Sequence, residues 1–316
     1  MDGILIIDKP VGWTSHDVVA RVRRILRERR VGHTGTLDPF ATGVLVVMVG
    51  RATRLAQFLA GAEKEYEATV RFGYATDTGD LTGTPRLAEG EAIKPCAAWS
   101  DEEIEAALKP LRGEIEQLPP MYSAKKVGGR KLYELARQGV EVERRAVRVV
   151  VRELEALAED GALLSWQEDG TCDLRVRVVC AAGTYVRTLA ESIGENLNIG
   201  AHLTALRRTR AGSFQLADAV SLERLNEMVE AGDTDSALRP LNAALPELPS
   251  VHLNGEDARR VGHGAAVRVN VEQEIWADGA FVRLCDRAGL LLAVGVYDAA
   301  RGQLRPRVLL VAENNG

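Results

Sequence analysis

Apolar and polar positions divide the chain into short strands and amphipathic helices. "GILIIDKPVGWTS" opens with an apolar run, Ile4 to Ile7, that predicts a strand halted at Pro10 and Gly12. Thr14 and Asp17 stand three apart, the spacing of a capping box, and predict a helix start. In that helix Val18, Val19, Val22, Ile25 and Leu26 share one face, leaving the arginines of "RVRRILRERR" on the other. "GHTGTLDPFATG", Gly32 to Gly43, has no period and reads as a turn that carries Asp38 into the β-branched run "VLVVMVG", a buried strand. "YEATVRFGYAT" alternates like a second strand, and "DTGDLTGTP" is a turn-rich connection.

Further along, "SDEEIEAALKPLRGEI" predicts a helix with Ser100 as N-cap and Glu103 three residues on. "LPPMYSAKKVGGRKLYELARQG" reads as a basic, hairpin-like segment followed by a short helix ending at Gly139. "DLRVRVVCAAGTYVRTLAESIGENL" gives strand, glycine turn and helix. "LPSVHLN", near Leu248, reads as a linker. The remainder consists of short strands and glycine turns, the pattern of a small β-rich module.

At 316 residues the chain is long enough for a large domain plus a small one. No apolar run reaches transmembrane length, and "MDGILIIDKP" carries an acid where an export signal needs positive charge, so a cytoplasmic protein with no membrane partner is expected. Cys96, Cys172, Cys180 and Cys285 form no C-x-x-C, and the five histidines form no H-E-x-x-H; neither disulfides nor a metal site are expected. The net charge of -5 does not by itself point to a polyanion. Its distribution does: Arg21 to Arg30 holds six arginines and one glutamate, Lys125 to Arg148 holds eight basic and three acidic residues, and "LRRTR" adds three arginines. Such local basic surface suits nucleic acid held along a track, or else solvated helix faces.

The glycine-rich turn fails the phosphate-loop pattern, since no Lys follows a suitably placed glycine and Asp38 would repel phosphate. It fails the dinucleotide fingerprint because it precedes a strand instead of opening a helix. A glycosidase carboxylate pair remains open, because sequence spacing does not establish separation in space. Pro39 biases Asp38 toward an extended backbone. An acid there caps local N–H groups in an Asx-turn, or it does chemistry. Tyr66, at a strand start, packs a core or offers a ring and a phenol. Arg187, at a helix entrance, is a surface charge, or it pairs with Asp38 and lowers that carboxyl by about 1 to 3 units.

Six stretches, "LIIDKPVGWTS", "GHTGTLDPFATGVL", "KEYEATVRFGYATDTGD", "PPMYSAKKVGGRKLYELARQG", "GTYVRTLAESIG" and "LTALRRTRAGSF", span most of the first 215 residues. In their order and wording the chain resembles the TruB family of bacterial tRNA pseudouridine synthases, which isomerise uridine 55 of the tRNA T loop. The resemblance implies an α+β fold, with a central mixed, mainly antiparallel sheet flanked by helices, plus a small C-terminal β-rich pseudo-barrel like a PUA domain. It implies a catalytic domain over 1–247, with a thumb insert at about 119–147, and an RNA-binding domain over 248–316. By the family pattern Asp38 is the catalytic acid, Tyr66 the stacking ring and Arg187 the ion-pairing partner. His33 handles extruded bases, Leu206 lies near the target base, Lys9 and Pro10 belong to a supporting motif, and Asp77 and Asp80 to a motif of less defined role. Tyr185 and the thumb residues Lys125, Lys126, Arg130 and Lys131 complete the expected substrate contacts. The implied partner is tRNA, held at its T stem-loop and acceptor end by a monomer with no cofactor.

One departure stands out. Many members read "SKGTY" where this chain has Ala181, Ala182, Gly183, Thr184 and Tyr185, so a phosphate contact near the site loses its Lys. Two other readings share these residues: a non-catalytic RNA chaperone using the same groove, and a guide-RNA-dependent synthase, whose archaeal and eukaryotic forms lack a matching thumb.

Overall fold

The structure is a computed structural model that describes residues 1–87, 93–123, 125–136, 138–140, 142–268 and 276–311. Its strands are β1 (Gly3–Lys9), β2 (Val31–Thr34), β3 (Thr42–Val49), β4 (Lys64–Phe72), β5 (Gly113–Gln117), β6 (Lys126–Val127), β7 (Arg130–Lys131), β8 (Val147–Leu157), β9 (Leu164–Trp166), β10 (Cys172–Cys180), β11 (Ala201–Ala211) and β12 (Phe214–Gln215). β13 (Ser250–His252), β14 (Val267–Arg268), β15 (Phe281–Cys285), β16 (Leu291–Asp298) and β17 (Gln303–Leu309) follow. The helices are α1 (Ser15–Leu26), α2 (Ala56–Leu59), α3 (Asp101–Leu108), α4 (Leu132–Ala136), α5 (Val186–Asn196), α6 (Leu222–Glu230), α7 (Thr234–Ala237) and α8 (Gly255–Gly262). Among the described residues, no helix is long and apolar enough to cross a membrane.

The main sheet runs β1-β3-β11-β4-β10-β8-β5, with β2, β12 and β9 on its edges, and every pairing is antiparallel except β3 with β11. Successive side chains of a strand point to opposite faces, so each strand feeds two cores. On β1 and β3, Leu5, Ile7, Leu45 and Val47 pack under α1 and α6, whereas Ile4, Ile6, Val44 and Val46 pack on the other face. The alternation read in β4 is observed: Tyr66, Ala68, Val70 and Phe72 turn inward against α3 and α5. Both expected capping boxes form, Thr14 with Asp17 and Ser100 with Glu103.

Gly43 shows why the turn after Asp38 needs a glycine. Its φ is +98°, and a Cβ there would sit 2.2 Å from the carbonyl oxygen of Arg208. Any side chain would push β3 off β11, at the one parallel pairing that joins the Asp38 turn to the sheet centre.

The segment expected to form a thumb holds a two-stranded hairpin, β6 with β7, followed by α4. The C-terminal sheet runs β13-β15-β16-β17-β14 and encloses its own core of Leu253, Val261, Val282, Leu284 and Leu304. Part of "LPSVHLN" is thus not a linker: Ser250–His252 is β13, parallel to β15. Three residues are too few to show a period, and the partner lies some thirty positions away. Cys285, Leu291 and Val294 share a core with Ile4, Val46 and Leu55, and Phe58 meets Phe281 edge to face at 5.0 Å, so the two sheets are packed together.

Candidate active site

The turn carrying Asp38 is fastened on all sides. Ser15 Oγ accepts from Leu37 N at 2.9 Å, the Gly12 N–H and the Lys9 ammonium both donate to Pro39 O, and Arg208 donates to Gly35 O at 2.9 Å. Fixing the backbone here holds Asp38 in place before any ligand arrives. The carboxylate makes no local cap; its partner is Arg187. Arg187 Nε lies 2.9 Å from Oδ2 and Nη2 lies 3.3 Å from Oδ1, a two-pronged pairing.

Arg187 enters from the first turn of α5. Gln117, at the end of β5, holds that helix start by accepting from Tyr185 N at 3.0 Å and donating to Tyr185 O at 3.3 Å. Arg187, only 5% exposed, also donates from its guanidinium to Thr78 O and Tyr122 O at 2.7 Å each and lies 3.8 Å from Asp80. It therefore ties three segments to Asp38: the 76–84 turn, the thumb stem and α5.

Asp38, Tyr66, Arg187, Leu206, Tyr185 and Lys125 line one cavity of about 240 Å³. At about 30 Å³ per water this is the space of several waters, the scale of one nucleotide base and its sugar. Tyr66 sits on β4 opposite Val178 and Arg208, and Leu206 lies on the neighbouring β11. Tyr66 is thus on a central strand and lines the carboxylate's cavity.

Other expected contacts lie elsewhere. Lys9 is fully buried, and its ammonium donates to the carbonyls of Pro10, Trp13 and Pro39, so it shapes the Asp38 turn and does not reach a substrate. Asp80 is 4% exposed and accepts from Thr78 and Thr82; it backs Arg187 from behind. Asp77 accepts from Thr84 N in the same turn. His33, on β2, stacks edge-on with His16 at 5.4 Å and is not among the cavity's lining residues. Arg130 is exposed on the thumb and donates to Gln138 Oε1, while the side chains of Lys126 and Lys131 lie outside the described residues.

"LRRTR" is not an open basic track. Arg208 is 1% exposed and bonds Val44 O and Gly35 O, while Arg207 pairs with Asp8 and Arg210 with Glu63. Arg208, Lys64 and Ser123 line the cavity and escaped the sequence reading. Arg208 hid inside a charge run. For Lys64 the available signal was its inward position in the alternation of β4. Ser123 is 5% exposed, and its hydroxyl has no partner among the described residues, which no sequence pattern marks.

The electrostatics correct one expectation. Burial pushes the Asp38 carboxyl above the ordinary carboxylate range; Arg187 opposes this and nearby Asp80 adds to it. About a third of the side-chain surface opens to the cavity, and the rest is enclosed by protein. The guanidinium thus restrains the rise without reversing it. Burial also raises the Tyr66 phenol, against the pull of Arg208, and lowers His33 to about 4 and Lys64 to about 8. At neutral pH the phenol and His33 are uncharged. Among the described residues, no group of His, Cys, Asp and Glu could hold a metal ion.

Comparison with known proteins agrees with this architecture. Residues 23–186 match the family model described as TruB family pseudouridylate synthase (N terminal domain). Residues 187–246 match a tRNA pseudouridylate synthase B C-terminal domain, and 249–310 a pseudouridine synthase II TruB C-terminal domain. The chain is 48% identical to the tRNA pseudouridine synthase B of Geobacillus thermodenitrificans (strain NG80-2) over 269 residues, 85% of this chain and 86% of the relative. It is 41% identical to that of Bacillus cytotoxicus over 312 residues, 98% of each chain. Among solved structures it resembles a chain of a Cbf5-Nop10-Gar1 complex, with TM-score 0.71, 28% identity, and coverage of 98% of this chain and 85% of that one. The fold is accordingly the expected pseudouridine synthase fold with a PUA-like C-terminal sheet. With more than half its length matched by one family model and 85–98% of it by named relatives, the chain belongs to the TruB family of pseudouridylate synthases.

Proposed function

We propose that this protein converts uridine 55 in the T loop of tRNA to pseudouridine, with Asp38, Tyr66 and Arg187 as the reacting site. The observation that carries the reading is the Asp38–Arg187 pair at a cavity that Tyr66 and Leu206 also line. The isomerisation breaks the bond from C1′ to N1 and joins C1′ to C5; C5 loses a proton and N1 gains one, with no net redox change. The base must first leave its stack, at a cost of about a few kcal/mol. Three routes suit Asp38: attack on the sugar, attack on the base, or removal of a sugar proton. All require it ionised.

Tyr66 stacks on the freed uracil, an interaction worth about 1–3 kcal/mol per base. The Tyr66 phenol, or a water it positions, takes the C5 proton. Ser123 Oγ, buried and without a partner among the described residues, gives the nucleotide a hydrogen-bond partner, and Lys125 and Arg130 take phosphates from the thumb. His33 inserts where the target base leaves, a role supported by the family pattern and its neutral ring.

The division into a catalytic domain over 1–247 and an RNA-binding domain over 248–316 is supported by the change of sheet between β12 and β13. The C-terminal domain grips the acceptor end, and the protein acts as a monomer in the cytoplasm. A guide-RNA-dependent synthase is the second reading, favoured by the likeness to the Cbf5 complex. The hairpin of the expected thumb and the 41–48% identity to proteins named tRNA pseudouridine synthase B favour the first. Mapping pseudouridine in tRNA incubated with the purified protein alone tests it; modification only when a guide RNA is supplied would overturn it.

Two substitutions separate chemistry from support. Tyr66→Phe keeps the stacking face and is expected to slow tritium release from C5-labelled tRNA by about 10²-fold or more, with tRNA affinity unchanged; full activity would remove the phenol from the mechanism. Lys9→Met removes the ammonium donor from Pro10 O and Trp13 O and one of two donors from Pro39 O, and is expected to cost about 1–3 kcal/mol in denaturant unfolding, with turnover per folded molecule near wild type.

A further inference from the structure

The run Arg21 to Arg30 is the one strongly basic segment that the proposed site leaves unused. Arginines elsewhere are mostly matched to acids: Arg51 with Asp2, Arg71 with Asp173, Arg152 with Glu63, Arg177 with Glu65 and Glu153. Among the described residues, Arg21, Arg24, Arg27, Arg29 and Arg30 have no such ion pair, and all but Arg21 are exposed. The single acid of the run, Glu28, is turned to the Arg30 backbone N–H and the Met1 amino group. Arg23 alone is engaged, donating to Val31 O. On α6, packed against the apolar face of α1, Glu227 pairs with Arg224 and Glu230 accepts from Asn226.

The backbone keeps these charges where they are. Arg21, Arg24 and Arg27 follow at three-residue steps, from half-buried Arg21 beside the apolar face of Val18, Val22 and Ile25 round to exposed Arg24 and Arg27. Arg27 holds the left-handed C-cap with φ of 52°, a position where glycine is favoured. Attraction to the helix C-terminus accounts for basic residues in the last turn, but not for Arg29 and Arg30 beyond it. Ser15 anchors the other end of α1 to the Asp38 turn, and twelve residues of helical rise place Arg27 about 18 Å away. The tip lies on the sheet face opposite the one that carries the C-terminal sheet, so it is separate from that module.

We infer that the arginine tip of α1 binds the phosphate backbone of the same tRNA outside the T-arm hairpin whose loop enters the cavity. A row of guanidiniums without ion pairs on a net-acidic protein fits a polyanion, and about 18 Å of helix separates it from Ser15, which holds the Asp38 turn, so it lies beyond the flipped nucleotide's immediate neighbours. This rests on the reading of the cavity as a tRNA site.

The test compares Arg24→Gln/Arg27→Gln/Arg29→Gln with wild type on full-length tRNA transcript and on the isolated T-arm hairpin, over a KCl series. With full-length tRNA the slope of log K against log salt is expected to become shallower by about 2 to 3, and affinity near 0.15 M to fall about tenfold or more. With the hairpin, slope, affinity and turnover are expected to stay at wild-type values, which also shows that the variant is folded. Equal losses on both RNAs, or no loss on either, would overturn the inference. Wild-type failure to modify either RNA would instead sink the functional reading, while the salt slopes would still report on the tip.

Discussion

Asp38→Asn is expected to abolish pseudouridine formation, by at least about 10³-fold in single turnover, while tRNA binds as before. The amide keeps the shape of the carboxylate, and Arg187 retains its bonds to Thr78 O and Tyr122 O, so the turn and the thumb stem stay in place. What disappears is the negative charge that each of the three routes needs. A variant that still binds and refolds tRNA without making pseudouridine is the expected outcome; retained modification would remove Asp38 from the chemistry and favour the chaperone reading.

The raised carboxyl of Asp38 adds a pH signature. The acid limb of kcat/KM is expected above 3.8, because the group ionises only above its elevated folded value. The stability sign is opposite to that of an ordinary ion-paired carboxylate. A folded-state pKa above the unfolded one means the native state binds its proton more tightly, so stability falls as pH rises from the unfolded value through the folded one. Asp38→Asn is expected to lose that dependence, so its melting temperature should equal or exceed wild type at neutral pH. A clear drop in melting temperature at neutral pH would contradict a buried, costly charge.

Arg187→Met is the second large effect, and it strikes folding and activity together. It leaves the carbonyls of Thr78 and Tyr122 without their donor and sets Asp38 near Asp80 with no cation between them. A loss of about 3–5 kcal/mol in unfolding is expected, the scale for breaking a buried charge pair from one side. Turnover is expected to fall by about 10³-fold or more, with the acid limb displaced to higher pH because the main influence restraining the Asp38 carboxyl is gone. Arg187→Lys separates the roles: one ammonium restores charge but cannot span Asp38, Thr78 O and Tyr122 O together. Partial recovery of the pH profile without recovery of stability is expected. Wild-type stability and rate for Arg187→Met would show that the pairing matters to neither.

Much of the fold was legible because local patterns and tertiary demands agree. The capping residues Thr14 and Ser100, the apolar face of α1 and the alternation of β4 each follow from short-range rules. β2 and β13 were missed because strands of three or four residues show no period and are defined by partners elsewhere. The arginines of "LRRTR" were misread for a related reason. Charge in sequence looks like charge on a surface until the sheet register puts Arg208 between Val44 O and Gly35 O.

By itself the sequence determined the family and the residue types of the site, because the motifs around Asp38, Tyr66 and Arg187 are carried in short, contiguous words. Only the tertiary structure decided that the Asp38 carboxyl is raised, that Lys9 is a buried strut, and that the arginines at the tip of α1 stand without ion pairs among the described residues. Those properties depend on burial and on the identity of neighbours far apart in the chain, and desolvation and pairing are set by distance in space.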